Sequence, residues 1–291
     1  MLAIVGTVPY EDFPLTYGEV KIKDENMLLS GHKIPLTRGT PALIAAAAHI
    51  SSALGLSRPT AYLVGDIGPG HGSRELYAWL AENLAYTDHE NIVFHYLQPD
   101  VDWQFKILDG VSKMGKKPAL LADAGFMYAA KMSGLAGEYD LFTPDLGELA
   151  FLADEQAPHP FYTRGFILHE DQKAEELVKM AYKHDNAAKH MLIKGAVDLV
   201  TNSKGILHRI SEPSSENMEA IGGTGDTVTG TVAGLVASGL PIDEASYHAA
   251  LINRWAGKLA SPTPATQVLD IVDNLQKAWE KTRNRPLPGR P

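Results

Sequence analysis

Apolar residues along this chain follow two alternating patterns. Short, nearly continuous apolar runs occupy residues 59–66, 91–97, 118–123, 139–143 and 190–195. Such runs are typical of buried strands. Between them, apolar residues recur every three or four positions, as in the helical run after Ser73 with Leu76, Trp79, Leu80 and Leu84. Strands that alternate with helices predict parallel β-α units and therefore an α/β protein.

The carboxyl-terminal part of the chain continues this alternation. Residues 197–210 predict a hairpin that turns at Asn202–Gly205. Helical spacing follows in two further segments, one after Asp226 and one from Thr266 to Trp279. These segments add two strands and two helices to the predicted fold.

No break in composition divides these units, so we expect one domain over residues 1–281. Its first 35 residues are mixed and polar, with strand-like pieces such as GEVKIK. Residues 282–291, TRNRPLPGRP, are rich in proline and arginine and predict a disordered tail.

Composition and charge narrow the class of protein. The formal net charge of −9 argues against a general nucleic-acid surface but leaves room for a local anion site. The absence of cysteine excludes disulfides, thiolate catalysis and Cys-ligated zinc. No apolar run approaches the ~18 residues of a membrane span, and the amino terminus lacks a signal-peptide pattern. The histidines suggest no metal site, since HENIVFH (89–95) lacks the spacing of a helical zinc pair. We expect a cytoplasmic protein without nucleic-acid or membrane partners.

The stretch IGGTGDTVTG (221–230) carries the most specific chemical signal. Three glycines and Asp226 stand where a helix is predicted to begin. Free N–H groups of a first helical turn bind phosphate, and glycines let the chain approach it closely. A carboxylate would repel phosphate, so Asp226 is predicted to accept a proton from an attacking hydroxyl or to hold a metal ion. The alternative is that Asp226 is only the helix N-cap.

Other polar or glycine-rich segments follow predicted strands, at the edge where ligands of α/β sheets bind. GDIGPGHGS (65–73) is either a ligand loop or a tight turn with Ser73 as N-cap. In FTPDLGEL (142–149), Asp145 and Glu148 form a D-x-x-E capping box unless a ligand engages one of them. Lys194 ends an apolar strand and either faces a nucleotide or extends to solvent.

Taken together and in chain order, these motifs resemble the ADP/ATP-dependent NAD(P)H-hydrate dehydratases, a branch of the ribokinase-like superfamily. The resemblance is carried by GPGHG, LLADAG, FTPDLGELAFL, IKGAVDLV and NMEAIGGTGDTVTGTVAGLVASGL, and more loosely by TRGTPALIAAAA. It implies a three-layer sandwich whose mostly parallel central sheet has helices on both faces.

The resemblance also implies an activity and a set of site residues. Hydrated NADH or NADPH would be repaired by phosphoryl transfer from ADP or ATP, with Mg²⁺, and by elimination of phosphate. Asp226 is the expected base, and no residue is assigned to a metal. The expected nucleotide and phosphate contacts are Lys194, Gly195, Gly222, Gly223, Thr224 and Gly225. The expected substrate contacts are Thr40, Gly70, Gly72, Asp123 and Asp145.

Two departures from the family pattern leave other functions open. Asp145 and Leu146 replace the usual histidine and proline, and Asp198 replaces the threonine expected after the Lys-Gly pair. Extra carboxylates beside an anionic dinucleotide favour one alternative, a ribokinase-like kinase of a small alcohol, sugar or vitamin. A third hypothesis, of another class, is a nucleotide-binding sensor without turnover. The family's epimerase partner would be a separate chain, and a homo-oligomer stays open.

Overall fold

The computed structural model describes residues 1–157, 170–263 and 265–287. Its strands are β1 (Leu2–Val8), β2 (Thr16–Glu19), β3 (Lys21–Lys23), β4 (Asn26–Leu29), β5 (His32–Pro35), β6 (Thr60–Gly65), β7 (Asn91–His95), β8 (Ala119–Ala122), β9 (Leu141–Phe142), β10 (His190–Ile193), β11 (Asp198–Asn202) and β12 (Gly205–Ile210). Its helices are α1 (Thr40–Ala53), α2 (His71–Asn83), α3 (Val101–Ser112), α4 (Gly125–Met132), α5 (Leu146–Ala153), α6 (Glu170–Lys183), α7 (Thr224–Ala237), α8 (Ile242–Ala260), α9 (Val268–Val272) and α10 (Leu275–Thr282).

The central sheet is mostly parallel, as predicted. Within the described residues its strand order is β12-β11-β10-β9-β8-β7-β1-β6-β2. Neighbours from β10 to β6 in that order run parallel, and the strands at both edges pair antiparallel. Strands β3, β4 and β5 form a separate small antiparallel sheet. The predicted hairpin is β11–β12, which turns at Asn202–Gly205.

Each face of the central sheet is covered by its own hydrophobic core. Along β1, Leu2, Ile4 and Val8 belong to one core, which also contains the apolar sides of α1, α7 and α8. Ala3 and Val5 point the other way, into the core formed with α2 to α6. Successive side chains of a strand face opposite sides, so a strand that is apolar throughout must be covered on both. The result is the predicted three-layer α/β/α arrangement.

Four local expectations need correction. Residues 1–35 were expected to be polar and mixed with strand-like pieces, but they begin with Leu2–Val8, a fully buried interior strand of the central sheet. Helix α2 begins at His71 after Gly70, so Ser73 is not its N-cap. The helix predicted from Thr266 is instead two short helices, α9 and α10.

The fourth correction concerns the tail predicted from residue 282. Thr282 is the last residue of α10, fully buried, and its hydroxyl donates to the carbonyl oxygen of Ala278. Thr282 therefore belongs to α10 and not to a disordered tail. Residues 288–291 lie outside the described part of the chain, and a single domain over 1–281 stays a prediction.

Candidate active site

The candidate site lies where the carboxyl ends of the central strands meet the first turn of α7. His95 ends β7, Asp123 follows β8, Lys194 follows β10, and Asp226 lies in the first turn of α7. This is the edge at which open α/β sheets bind ligands. The fold therefore brings together Asp123, Lys194 and Asp226, three of the predicted site residues.

Asp226 is an ionised carboxylate and not a helix cap. The N-cap position of α7 is Gly223, and no side chain caps this helix. Asp226 accepts a hydrogen bond of 2.6 Å from the Gly39 amide on Oδ2 and contacts His95 Nε2 at 3.1 Å with Oδ1. Burial acts to raise the pKa of Asp226, but His95, Lys194 and the Gly39 amide together hold it below its ordinary value. The N-cap alternative is therefore wrong.

His95 connects Asp226 to Thr40. Its Nδ1 lies 3.0 Å from the Thr40 hydroxyl oxygen, while its Nε2 faces Asp226. This chain of hydroxyl, imidazole and carboxylate has the parts of a nucleophilic triad. However, Thr40 is 1% exposed and His95 is fully buried, so no substrate reaches that hydroxyl. Thr40, which was expected to contact substrate, is instead placed to hold His95 and Asp226 in position.

Asp123 and Lys194 form a buried ion pair. Lys194 Nζ lies 2.9 Å from both carboxylate oxygens of Asp123, which also accept from the Thr229 hydroxyl at 2.6 Å and the Ala124 amide at 2.9 Å. Burial acts to lower the pKa of Lys194, but Asp123 and Glu148 hold it above its ordinary value. Lys194 therefore does not extend to solvent. Asp123, 1% exposed, holds the lysine and has no free face for substrate.

The glycine segment Gly222–Gly225 lies directly beside this ion pair. Gly223 has φ of 104°, a left-handed backbone conformation that favours glycine. A Cβ atom at Gly225 would lie 3.8 Å from Lys194 Nζ, so the ammonium faces the segment. The Thr224 hydroxyl is already committed to carbonyl oxygens of the preceding loop at 3.2 and 3.4 Å. The first-turn N–H groups have no partner inside the helix and are suited to an anion.

Asp145 and Glu148 form the predicted capping box at the start of α5. Glu148 N donates to Asp145 Oδ1 at 2.7 Å, and Asp145 N donates to Glu148 Oε2 at 2.9 Å. Tyr128 also donates its hydroxyl to Glu148. Burial raises the pKa of Glu148 to about 7, with Asp123 and Asp145 adding to the rise and Lys194 opposing it. Asp145 itself is exposed and bridges backbone to backbone with Lys194, so it lies at the rim of the site.

The second departure, Asp198, is neutralised by Arg254. Arg254 Nε donates to Asp198 at 2.7 Å, and its other nitrogens donate to the carbonyl oxygens of Gly195, Ala196 and Ser211 at 2.8 to 3.0 Å. Asp198 also accepts from the Gly195 amide at 3.0 Å. The additional carboxylate therefore orders the Lys-Gly turn and presents no free charge to a ligand.

The glycine loop after β6 is organised by its own aspartate. Asp66 accepts from the amides of Gly68, Gly70 and Ser73 and from the Ser73 hydroxyl, at 2.7 to 3.1 Å. A Cβ at Gly72 would lie 1.9 Å from the Gly65 carbonyl oxygen, so close backbone packing explains that glycine. These amides are unavailable to a ligand, and β1 separates β6 from β7. Direct substrate contact by Gly70 and Gly72 gains no support from this geometry.

Tyr96 forms one wall of the site. Its φ of 53° is rare for a bulky residue, and the Thr7 hydroxyl holds its carbonyl at 2.8 Å. The side chain is 50% exposed, and its ring lies edge-on to His95 with 4.2 Å between ring centroids. Partial burial, together with Asp226 and Asp123, raises its pKa to about 12. The phenol therefore stays neutral and presents an apolar ring to the cleft.

His95, Asp123 and Asp226 place potential metal-ligand atoms within 4.8 Å of one another. Each carboxylate oxygen, however, already faces a donor from His95, Gly39, Lys194, Thr229 or Ala124. An ion among them would have to displace these donors. The trio therefore does not fit a resident metal, and Mg²⁺ would have to arrive with phosphate oxygens, as it does in many phosphoryl-transfer sites.

Four residues of the site region were not predicted from the sequence: His95, Tyr96, Asp66 and Arg254. The rule that identified Asp123, a polar residue at the end of a buried strand, applies equally to His95 and would have found it. Arg254 lies inside a long helix, and no local pattern distinguishes it from a solvated residue.

The chain is similar to a described protein family over more than half of its length. The family model for NAD(P)H-hydrate dehydratases matches residues 100–277. An uncharacterized protein of Methanocaldococcus jannaschii is 39% identical over 219 residues, which is 75% of this chain and 90% of that relative.

Two solved structures show the same fold. A ribokinase-like superfamily protein from Enterococcus faecalis superposes with a TM-score of 0.58 at 15% identity, covering 96% of this chain and 86% of that one. The ADP/ATP-dependent NAD(P)H-hydrate dehydratase of Bacillus subtilis, co-crystallized with ATP and Mg²⁺, superposes with a TM-score of 0.57 at 16% identity, covering 96% and 89%.

The matched range separates two groups of site residues. It includes Asp123, Asp145, Lys194 and Asp226, and it begins after Thr40, the glycine loop and His95.

None of the helices in the part of the chain that the structure describes combines the length and apolar character needed to cross a bilayer.

Proposed function

Since the chain belongs to the NAD(P)H-hydrate dehydratase family, we propose that it dehydrates hydrated NADH or NADPH with ADP or ATP as phosphoryl donor. Asp226 is the base in this proposal, and the Gly222–Gly225 segment with Lys194 holds the transferred phosphoryl group. The site geometry supports this assignment, because the ionised carboxylate of Asp226, the uncapped N-terminus of α7 and the buried ammonium of Lys194 lie next to one another.

In the first step, Asp226 accepts the proton of the hydrate's hydroxyl group. The hydroxyl oxygen bonds to the terminal phosphorus of the nucleotide, and the bond from that phosphorus to the bridging oxygen breaks. First-turn amides of α7 and the Lys194 ammonium face the charge that develops on the phosphoryl oxygens. Mg²⁺, brought with the nucleotide, would neutralise the phosphate chain.

In the second step, the phosphorylated hydroxyl leaves as inorganic phosphate. The carbon–oxygen bond of the ring breaks, the neighbouring ring carbon loses a proton, and the double bond of the dihydronicotinamide is restored. Phosphate is a far better leaving group than hydroxide, which is why the nucleotide is consumed. His95 and the Gly39 amide keep Asp226 ionised and oriented for the first step.

The observation that carries this proposal is the ionised Asp226 beside the glycine segment, and Asp226→Asn tests it. Removing a general base costs ~10²–10⁴-fold in turnover. We expect that loss with ATP binding and fold retained, measured by recovery of NADH absorbance from its hydrate. Asp109→Asn, an exposed surface carboxylate paired with Lys113, is the matched control. Turnover of the Asp226 variant within a few-fold of wild type would refute the assignment.

The position of Asp145 favours one alternative function, that of a small-molecule kinase. Its exposed carboxylate at the rim is suited to a substrate hydroxyl, as in a kinase of a small alcohol or sugar. A kinase would consume ATP with such alcohols and leave hydrated NADH unchanged. A nucleotide-binding sensor would bind ATP and turn over neither. The epimerase partner on a separate chain and a homo-oligomer stay predictions.

A further inference from the structure

We propose that Arg38 binds a phosphate group held at the Gly222–Gly225 segment. Arg38 immediately precedes Gly39, whose amide donates to Asp226, so its backbone is anchored to the proposed base. The inference rests on the proposed function, because that function supplies the phosphate.

The arginine stem crosses the glycine segment at close range. A Cβ atom at Gly223 would lie 3.0 Å from Arg38 Cα and 3.2 Å from its Cβ. A Cβ at Gly222 would lie 3.4 Å from Arg38 Cδ. The double glycine therefore leaves room for this side chain. Arg38 contacts the segment at Gly222 and Gly223, and Lys194 lies beside Gly225.

The charge balance of the site favours a second cation at this position. Lys194 is paired with both oxygens of Asp123, and Glu148 and Asp226 also act on it. A nucleotide adds several further negative charges. Within the described residues, Arg38 is exposed and has no ion-pair or hydrogen-bond partner for its guanidinium. A guanidinium is well suited to phosphate because its N–H groups can bind two oxygens at once.

The test is equilibrium binding of a ligand series to Arg38→Gln. ATP, ADP, adenosine and NADH are titrated separately by calorimetry, without requiring turnover. Loss of a charge-assisted contact should weaken binding of ATP and ADP roughly ten- to a hundredfold and leave adenosine unchanged. Arg38→Lys should fall between the two, since it keeps the charge but not the bidentate geometry.

Arg58→Gln is the matched control, since Arg58 lies at the amino end of β6 and pairs with Glu19, on the opposite edge of the sheet. It should leave every affinity unchanged. A loss in Arg38→Gln confined to NADH would still support the proposal and would identify the dinucleotide's pyrophosphate as the bound group.

Three results would overturn the inference: affinities within twofold of wild type, an equal loss for adenosine, or a wild type that binds none of the phosphate ligands. Failure of the proposed function looks different. A wild type that binds ATP but does not restore NADH from its hydrate would refute the function, and the binding series would still decide the role of Arg38.

Discussion

Neighbouring hydrogen-bond donors and charges keep the carboxylate of Asp226 ionised. Buried carboxylates ordinarily have raised pKa values, and the pKa of Asp226 is lowered because His95, Lys194 and the Gly39 amide favour the charged form. Of these, His95 is fully buried and reaches both Asp226 and Thr40. A protonated Asp226 could not accept a proton, so His95 sets the lower pH limit of the proposed reaction.

Replacing His95 should therefore change the pH profile of the enzyme. In His95→Leu, burial of Asp226 is no longer opposed by the imidazole, its pKa rises, and the base is protonated at higher pH. The acid limb of kcat/KM should move upward by roughly one to two pH units, the equivalent of one hydrogen bond to a charged group. The measurement is dehydratase activity between pH 4 and 8.

His95→Gln is the conservative variant, because its amide can donate to Asp226 and should restore most of the shift. An unchanged acid limb together with a lower melting temperature would show that His95 serves the fold alone.

At the scale of elements, the position of Asp226 depends on how closely α7 packs against α1. A Cβ atom at Gly230 of α7 would lie 2.0 Å from the Leu43 carbonyl oxygen and 2.9 Å from the Ala46 side chain. The two helices are therefore in backbone contact. Since Gly39 precedes α1 and Asp226 lies in the first turn of α7, this contact sets the distance between the amide donor and the carboxylate.

We expect Gly230→Ala to destabilise the protein, because a methyl group in that space forces the helices apart. Overpacking of this kind costs roughly 1–3 kcal/mol or more. The melting temperature should fall by several degrees and turnover should fall with it. Gly110→Ala in α3 is the matched control, since its Cβ would meet nothing nearer than 3.7 Å.

In the control, replacing a helical glycine by alanine should raise stability by about 0.5–1 kcal/mol. Equal melting temperatures for the two variants, measured by calorimetry, would contradict the packing argument.

At the scale of the whole molecule, the net charge of −9 must be reconciled with the proposal that the site binds anions. The structure pairs two carboxylates of the site with cations, Asp123 with Lys194 and Asp198 with Arg254, and Asp226 contacts His95. Within the described residues Glu148 has no such cationic partner, and burial raises its pKa to about 7. Its ionisation opposes folding at neutral pH.

This predicts a pH dependence of stability with a definite sign. The folded-state pKa of Glu148 lies above its ordinary value, so the folded state binds the proton more tightly than the unfolded chain. The stabilisation is complete below about pH 4.5 and is lost as pH rises through about 7. Asp66 and Asp226 have lowered pKa values and act in the opposite sense at more acidic pH. Burial also lowers the pKa values of His49, His89 and His248 below 6.5, and these groups act in the opposite sense within the same interval as Glu148.

Glu148→Gln removes this titration and keeps a side chain that suits a capping box. Between pH 5 and 8, the free energy of unfolding of wild type minus that of the variant should fall as pH rises, as measured by denaturant titration, because the buried histidines contribute equally to both proteins. A difference that stays constant over this interval would contradict the assignment.

Local pattern alone predicted much of the molecule. The apolar runs that became β6 to β10 were predicted correctly, because a strand buried on both faces must be apolar throughout. The capping box at Asp145 and Glu148 was predicted because both partners lie within one turn of chain. The glycine-aspartate motif and its neighbours identified the family, since their order along the chain is itself a sequence property.

Only the tertiary structure decided which residues meet. The strand order places β7 between β1 and β8, and the packing of α7 on this sheet brings His95 at the end of β7 to Asp226. The packing of α8 places Arg254 against Asp198. The segment before α1 places Gly39 against Asp226 and Arg38 against Gly222 and Gly223. Periodicity reports the local state of the backbone and which face of each element is buried. The partners of a buried charge depend on strand order and helix packing, which involve residues far apart in the sequence.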